Sequence, residues 1–378
     1  MERQKVPRAM GAAYHMRFSP GAIVRAMPLH AGIHLRAMER NLDDLDLLAR
    51  CLSSNGVHRD RRQMQWQYLD NPARRTLADF AVAPGGRLAA VYATLPTLMR
   101  IDGRVELAAQ SVDTMTDGAF RGRGLFVRLA NATYDRAQAE GFRLVYGFPN
   151  QHSAHGFFDR LGWCRLGHAP LLIRPLRTRF LARKLGPLAK WARFVPDVPL
   201  HLGKARNRGI ELVTRFDDRF TDLWHRFAAG AGIAIERDAR YLDWRLSRRP
   251  GGAYENAVTA RDGRLSAFVS HCIREKHGGR IGYVMESLHA PGEEGAVSTL
   301  LRRALARMAE ERADVAFAWC MPHATTYPVF RRAGFLAVPP RFLPIQLHFG
   351  ARALAPECAD IVQHPRRWYI SYLDSDTV

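Results

Sequence analysis

The chain has 378 residues, of which 47% are apolar and 24% are charged, the proportions of an ordinary globular protein. This composition excludes extended disorder, because the chain has enough apolar side chains to form a core. At about 150 residues per domain, the length corresponds to roughly two and a half domains. No run of 18 apolar residues occurs and the first 30 residues lack an apolar signal segment, so we expect neither a transmembrane helix nor a secretory signal.

The chain is strongly basic, with 56 Lys plus Arg against 36 Asp plus Glu and a formal net charge of +20. Such a field attracts anions, for example nucleotides, phosphorylated substrates or an anionic membrane surface. The spacings typical of zinc fingers, basic zippers and RNA-binding aromatic motifs do not occur, so we expect no nucleic-acid partner. The five cysteines form no CxxC pair, which favours a reduced, cytoplasmic protein without a structural metal.

In chain order, the first half alternates between helical and strand patterns. The apolar spacing predicts a helix over 42–52, strands over 79–83, 88–95 and 105–116, a long helix over 124–140, a buried strand over 142–148 and a short helix ending at Gly162. The second half follows the same order, beginning with a helix over 220–229. This alternation predicts a mixed α/β fold with helices on both sides of a sheet.

The two halves also share single residues at offsets that fall from 178 to 172. The matching pairs, in chain order, are Trp66 with Trp244, Pro72 with Pro250, Gly86 with Gly263, Pro149 with Pro322 and Gly162 with Gly334. Five matches in the same order favour an internal duplication. The alternative is that Trp, Pro and Gly mark turns in two unrelated domains.

A basic, amphipathic stretch over 171–194 separates the two copies and contains no acidic residue. Such a segment could lie on anionic lipid headgroups. The alternative is a linker whose apolar side packs between the two copies while its arginines remain in water.

The segment Arg121-Gly-Arg-Gly124 follows a strand that ends near Thr116 and opens the long helix. Glycines let the backbone come close to a bound group, and the unpaired NH groups at a helix start attract anions. The two arginines add charge-assisted hydrogen bonds. The segment is neither a P-loop, since Gly-Lys-Ser/Thr is missing, nor a dinucleotide fingerprint, which would follow the first strand. Residues 121–126 therefore predict a pyrophosphate site.

With this loop in place, the sequence resembles the GNAT acyltransferases, whose acetyl-CoA loop reads Gln/Arg-x-x-Gly-x-Gly/Ala. Arg121 and Gly124 match this pattern, whereas Phe126 occupies the sixth position. The turn and helix over 149–163 resemble the closing helix of the family. The resemblance implies two tandem GNAT-like domains in a mixed α+β sheet fold, the second one degenerate, similar to the enhanced intracellular survival acetyltransferases.

The implied organisation has four parts. They are an N-terminal extension over 1–32, an acyl-CoA-binding domain over 33–170, the basic linker over 171–206 and a second GNAT-like domain over 207–378 that ends in a strand-like aromatic segment. In the second copy, Glu293 and Glu294 stand where the first has its arginines and glycines. Because two carboxylates would repel a pyrophosphate, we expect one acetyl-CoA, in the first copy.

The resemblance also implies the residues that contact acetyl-CoA, which serves as the acyl-donor substrate without a metal. They are Thr114, Met115, Thr116, Arg121, Gly122, Arg123, Gly124, Leu125, Phe126, Asn150 and Phe157. Within this set, the NH groups of 121–126 would hold the pyrophosphate, and Asn150 would contact the pantetheine arm. The NH of Met115 is our candidate donor to the oxyanion of the tetrahedral intermediate.

Candidates for proton transfer are less clearly marked. Asp113 is an acid within an apolar strand and is a candidate base, or else it faces solvent or pairs with an arginine. The family's tyrosine acid is replaced by Phe158, so Tyr146, His155 or solvent would protonate the leaving thiolate.

The C-terminus offers further candidates, because in the tandem relatives the terminal carboxylate reaches the first active site. Here the Val378 carboxylate, Asp376 or Asp374 could take that part. The alternative is a frayed tail.

The sequence thus predicts a cytoplasmic N-acyltransferase that moves acetyl from acetyl-CoA to a small primary amine. An amino sugar or glycan precursor is the candidate acceptor class, since a basic surface suits phosphorylated or nucleotide-linked compounds. The stretch 171–194 would allow peripheral membrane contact. The alternative function is a non-catalytic module that binds CoA or anionic lipid, which the absence of a tyrosine at Phe158 favours.

Overall fold

The computed structural model describes residues 32–178, 180, 198–200, 209–276, 278–342 and 346–375. Residues 1–31 of the predicted extension over 1–32, most of the predicted linker beyond residue 178, and the C-terminal Asp376 and Val378 lie outside these residues. Within the described ranges, no helix is both long enough and apolar enough to cross a bilayer.

The first half forms a mixed sheet with helices on both faces, which confirms the predicted α/β fold. Helices α1 and α2 cover one face and α3 the other, each burying its own apolar cluster against the sheet. In chain order the elements are β1 (His34–Ala37), α1 (Leu42–Ser54), α2 (Arg61–Tyr68), β2 (Leu77–Val82), β3 (Leu88–Ile101), β4 (Arg104–Thr116), α3 (Leu125–Ala139), β5 (Leu144–Gly147) and β6 (Cys164–His168).

The second half contains the same succession of a helical pair, a strand meander, a long helix and a parallel strand. Strand β7 (Leu171–Pro175) follows β6 at the end of the first half. The elements of the second half are β8 (Ile210–Val213), α4 (Asp218–Phe227), β9 (Ile233–Ile235), α5 (Ala239–Leu242), β10 (Glu255–Arg261), β11 (Arg264–Lys276), β12 (Gly279–His289), α6 (Glu294–Glu310), β13 (Val315–Trp319), α7 (Tyr327–Arg332), β14 (Leu336–Ala337), β15 (His348–Ala353) and α8 (Ala359–Val362). The duplication itself stays a prediction.

The two halves exchange strands. The first sheet has the order β1-β2-β3-β4-β5-β15-β6, with β9 paired to β3, and the second has the order β14-β7-β13-β12-β11-β10-β8. Strand β15, from the second half, thus lies between β5 and β6, while β7 pairs antiparallel with β13. Neither sheet is complete without the other half, so the two halves form one interlocked core.

This exchange corrects two sequence-based expectations. Residues 171–175 are strand β7 rather than the beginning of a linker, because Leu171-Leu-Ile173 is apolar and Leu172 is buried in the second core. The aromatic C-terminal segment over 368–375 docks against the protein but is not a strand. Its end is a single helical turn in which Ser371 and Asp374 cap each other's backbone NH groups.

Trp66 and Trp244, which match at an offset of 178, meet where the two halves join. Their rings stack with centroids 4.5 Å apart and an interplanar angle of 13°. The Nε1–H of Trp66 donates to the carbonyl of Trp244 at 2.8 Å, and that of Trp244 donates to the carbonyl of Trp66 at 3.0 Å. Each half thus contributes one tryptophan, and each tryptophan donates a hydrogen bond to the backbone carbonyl of the other.

We expect Trp66→Phe to lower the free energy of unfolding by about 1–3 kcal/mol, because a buried carbonyl loses its donor. Trp224→Phe is the matched control, since Trp224 is fully buried and its Nε1 has no hydrogen-bond partner among the described residues. Denaturant unfolding of both variants measures the difference. An equal loss in the two variants would show that the reciprocal hydrogen bonds contribute nothing.

Candidate active site

A cleft opens in the first sheet between the parallel strands β4 and β5. These strands pair only at Ala109 with Val145 and Gln110 with Tyr146, and beyond Gln110 they diverge. A bulge in β4 opposite Tyr92 accompanies the divergence, and Asp113 in the bulge has a left-handed φ of 40°. The result is a cavity of about 420 Å³, lined by Gln110, Ser111, Val112, Asp113, Thr114, Thr116, Phe126, Gly147, Phe148, Pro149, Asn150, His152, Ser153, Gly156, Phe157 and Trp163.

The loop over 121–124 connects β4 to α3 beside this cavity. Gly122 and Gly124 have φ values of 76° and 70°, a left-handed backbone that a residue with a Cβ adopts at a cost. Helix α3 begins at Leu125 and has no side-chain cap at its N-terminus. No main-chain NH of residues 121–126 donates a hydrogen bond to another described residue. These NH groups and the positive end of the helix dipole are therefore available to an anion.

The two arginines of the loop are exposed and make only long contacts with the protein. Arg121 donates to the Thr116 carbonyl and Arg123 to the Ala119 carbonyl, each at 3.4 Å. The guanidinium of Arg123 also lies 5.2 Å from the centroid of the Phe120 ring. Because no carboxylate of a described residue pairs with either side chain, both can turn toward a bound diphosphate.

Phe126 occupies the position where the GNAT loop has a small residue, and Gly156 accommodates its ring. A Cβ on Gly156 would lie 2.7 Å from the Phe126 ring. The ring also meets Phe157 edge to face, with centroids 5.3 Å apart, and both rings line the cavity. The larger side chain is thus matched by a glycine on the facing segment, which the loop sequence alone does not reveal.

Asn150 shapes the opposite wall of the cleft. Its Oδ1 accepts hydrogen bonds from the NH groups of His152 and Ser153 at 2.9 and 3.1 Å, which caps the turn after β5. Its backbone bridges to Leu347, just before the exchanged strand β15. The predicted contact with the pantetheine arm stays a prediction, although Asn150 lies in the cavity wall.

Asp113 is an ion-paired residue rather than a free base. Its carboxylate lies 2.6 Å from the Arg59 guanidinium and accepts a hydrogen bond from the Tyr68 hydroxyl at 2.8 Å. The side chain is 5% exposed, so these partners hold it in a fixed place behind the bulge. Sequence reasoning named an arginine partner as the alternative, and the structure favours it.

The remaining predicted groups fall on different sides of the sheet. Thr114 and Thr116 line the cavity, whereas the Met115 side chain packs in the cluster under α1 and α2.

Tyr146 is buried between the two halves, with its ring 5.8 Å from that of Trp368, and it does not line the cavity. His155 is exposed and pairs with Asp159 at 2.6 Å. Neither Tyr146 nor His155 is placed to protonate a thiolate in this cleft.

The matching cleft in the second half is filled by the chain itself. Strands β12 and β13 pair as far as Val284 with Ala318 and then separate. The ring of Tyr372 stacks on Trp319 with centroids 4.8 Å apart and meets Tyr283 edge to face at 5.2 Å. The segment 368–374 therefore occupies the place that the cavity has in the first half.

An ion-paired cluster fixes this segment. Arg237, which is fully buried, lies 2.5 Å from Glu286 and 2.7 Å from Asp374. Burial alone would lower the pKa of Arg237, but the two carboxylates outweigh it and hold the pKa well above its ordinary value. Ser371 completes the cluster by donating to Glu286 at 2.9 Å. Asp374 is thus a structural partner of Arg237 and not a free acid near the cleft.

A second depression, which we call the interdomain groove, runs between the halves and adjoins the cleft at Gln110. Gln110 lines both cavities, and its Nε2 donates to the Asp374 carbonyl at 2.6 Å. The other residues of the groove are Gln63, Trp66, Gln67, Asn71, Pro72, Ala73, Leu95, Pro96, Thr97, Leu98, Ile235, Glu236, Asp238, Arg240, Tyr241, Trp244, Arg245, Arg249, Leu373 and Ser375. Sequence reasoning missed the groove, because its walls come from segments far apart in the chain.

Among the described residues, no group of three or more His, Cys, Asp or Glu is arranged to hold a metal ion. The site consists instead of a cleft with free NH groups at one end and the groove at the other.

Residues 41–165 match the sequence profile of the acetyltransferase (GNAT) domain family. No curated protein matches the chain by sequence. The fold is similar to that of the N-myristoyltransferase of Saccharomyces cerevisiae with bound myristoyl-CoA, with TM-score 0.58 and 12% identity, over 86% of this chain and 83% of that one. It is also similar to a GCN5-related N-acetyltransferase from Anabaena variabilis, with TM-score 0.57 and 12% identity, over 85% of this chain and 73% of that one. At these identities the similarity concerns the fold alone.

We expect Gly124→Trp to weaken acetyl-CoA binding at least about tenfold, because the side chain and the altered backbone block the NH groups at the start of α3. Gly263→Trp is the matched control, since Gly263 also has a positive φ, 76°, and a Cβ there would meet nothing within 4 Å. Calorimetric titration of both variants with acetyl-CoA gives the two affinities. Unchanged affinity in Gly124→Trp would place the cofactor elsewhere.

Proposed function

We propose that the chain, whose residues 41–165 match the GNAT acetyltransferase domain family, moves an acetyl group from acetyl-CoA to a primary amine by direct attack in a ternary complex. The match of residues 41–165 to the GNAT domain family supports an acyl-CoA-dependent N-acyltransferase. The observation that carries the proposal is the divergence of β4 and β5 next to NH groups that no described residue uses.

The donor fits this cleft in one direction. The diphosphate would accept hydrogen bonds from the NH groups of 121–126, and the pantetheine arm would run between the diverging strands past Asn150 and Phe157. The thioester would then lie beside the bulge in β4, next to the NH of Met115 and on the side of the cleft that leads to Gln110. With the pantetheine arm in this direction, the thioester end points toward Gln110, where the cleft meets the interdomain groove.

The acceptor would approach through the interdomain groove, because Gln110 borders it and the cleft alike. A neutral amine attacks the thioester carbon, and the tetrahedral intermediate then expels the CoA thiolate. We assign the NH of Met115, in β4, as the donor to the oxyanion. With Phe158 in the place of the family's tyrosine, solvent protonates the thiolate.

We assign the base to the terminal carboxylate of Val378. The residues just before 376–378 are fixed, because the Arg245 guanidinium donates to the Ser375 carbonyl at 2.6 Å and Gln110 Nε2 donates to the Asp374 carbonyl. Three more residues extend the chain by at most about 10 Å. A carboxylate within that reach would serve as the base, whereas Asp113 is held by Arg59.

For the acceptor, we propose an amino sugar or another glycan precursor. The net charge of +20 favours compounds that carry a phosphate or a nucleotide. The groove contains aromatic rings together with the amide side chains of Gln63, Gln67 and Asn71, a combination that suits a polar ring with several hydroxyl groups.

One observation favours a second function, a non-catalytic module that binds CoA. Phe158 replaces the tyrosine acid, and neither Tyr146 nor His155 takes its place near the cleft. Such a module would bind acetyl-CoA without releasing a thiol.

Two measurements on the full chain separate these functions. Calorimetry determines whether acetyl-CoA binds, and a thiol assay with a panel of primary amines, including amino sugars and their phosphates, determines whether CoA is released. We expect binding in the first and amine-dependent release in the second. Binding without release across the panel would support the module, and absence of binding would contradict both functions.

Removal of residues 376–378 should lower kcat by about 10²–10⁴, the usual contribution of a general base, with little change in the KM for acetyl-CoA. Asp376→Asn is the matched variant, since it removes the nearby side-chain carboxylate and leaves the terminal one. Steady-state kinetics of both enzymes test the assignment. Full activity after removal of the three residues, or the same loss in Asp376→Asn, would show that Val378 is not the base.

A further inference from the structure

Three arginines of the second half converge on one tyrosine at the edge of the interdomain groove. The Tyr254 hydroxyl accepts hydrogen bonds from Arg249 at 2.9 Å and from Arg245 at 3.4 Å. The guanidinium of Arg274 lies 5.4 Å from the centroid of the Tyr254 ring. We call these four residues the arginine cluster.

No carboxylate of a described residue lies within 4.0 Å of any of the three guanidinium groups. Neighbouring arginines differ in this respect, for example Arg248, which pairs with Asp243 at 2.6 Å, and Arg240, which pairs with Asp238 at 3.3 Å. The cluster therefore concentrates positive charge that the described part of the chain does not neutralise.

Burial makes this charge costly. Arg245 is 3% exposed and Arg249 is half-buried. Loss of water, followed by repulsion from Arg245, lowers the pKa of Arg249 to about 10. An anion placed here would relieve the repulsion and replace the lost water, so that the free energy of binding gains from both effects.

The position of the cluster connects it to the reaction. Arg245 and Arg249 line the groove, and the Arg249 guanidinium lies 5.4 Å from the centroid of the Trp66 ring on the groove wall. The same groove meets the cleft at Gln110. The groove encloses about 40 Å³ in this structure, so an acceptor that held its anionic end on the cluster and its amine toward the cleft would have to widen the groove as it binds.

We infer that the arginine cluster binds the phosphate or carboxylate of the acceptor, so that the acceptor is an amine that carries an anionic group. That the cluster binds an anion does not depend on the proposed function. That this anion belongs to the acceptor of the acyl group rests on the proposed function. Arg249 supplies the free donors, since only one hydrogen bond to it, at Tyr254, is made by the described residues.

The test compares two probes that differ by one phosphate, glucosamine and glucosamine 6-phosphate. Calorimetry with the full chain should show that the phosphate strengthens binding about 10- to 100-fold, the range of a charge-assisted hydrogen-bond pair. Arg249→Gln should remove most of this preference, and Arg249→Lys should keep part of it. Arg248→Gln, one residue away and paired outside the groove, is the control and should bind as the parent does.

Each outcome decides the question. Equal affinity for the two probes, or a preference that survives both Arg249→Gln and Arg274→Gln, would overturn the inference. Phosphate binding that tightens tenfold or more when residues 376–378 are removed would show that the chain's own terminus occupies the cluster, and would also overturn it.

A separate readout distinguishes failure of the proposed function. If glucosamine 6-phosphate binds through Arg249 but no amine releases thiol from acetyl-CoA, the anion site stands and the transferase proposal fails. If transfer occurs with kcat/KM equal for neutral and anionic amines, the transferase stands and the anion site fails.

Discussion

The buried ion pairs of Arg237 with Glu286 and Asp374 are the constraint that fixes the C-terminal segment 368–374 in the second half. Buried ion pairs add little net stability, because removing charges from water offsets most of their attraction, yet losing one partner costs about 3–5 kcal/mol. Such a cluster therefore fixes position more than it stabilises. Here it holds the segment 368–374 between β12 and β13, which closes one cleft and brings the Asp374 carbonyl to Gln110 at the edge of the other.

The first half contains the corresponding ion pair without the inserted segment. Arg59 and Asp113 stand at offsets of 178 and 173 from Arg237 and Glu286, and they too form an ion pair, at 2.6 Å. In both halves a carboxylate on the strand before the long helix is paired with an arginine from the helical region. The cleft that remains open has glycines and arginines at its helix start, whereas the filled cleft has Glu293 and Glu294 there. The start of the long helix is thus suited to bind an anion in the first half and not in the second.

The sequence predicts the features that arise from local patterns. Helix α3 and the loop before it follow from apolar spacing and from Gly122 and Gly124, and the structure gives both glycines the positive φ that this loop requires. The exchange of β7 and β15 could not be predicted in this way, because strand pairing between distant segments leaves no local signal. The role of Asp113 depends on Arg59, 54 residues earlier, and the groove has walls from both halves.

The central claim is that the cleft between β4 and β5 holds one CoA, with its diphosphate on the NH groups of 121–126. A crystal structure of the chain with acetyl-CoA tests it most directly. The account predicts diphosphate oxygens at about 2.7–3.2 Å from those nitrogens, with the thioester beside the bulge in β4 and the second cleft still filled by residues 368–374. A cofactor bound between β12 and β13, or one whose diphosphate lies away from the start of α3, would contradict it.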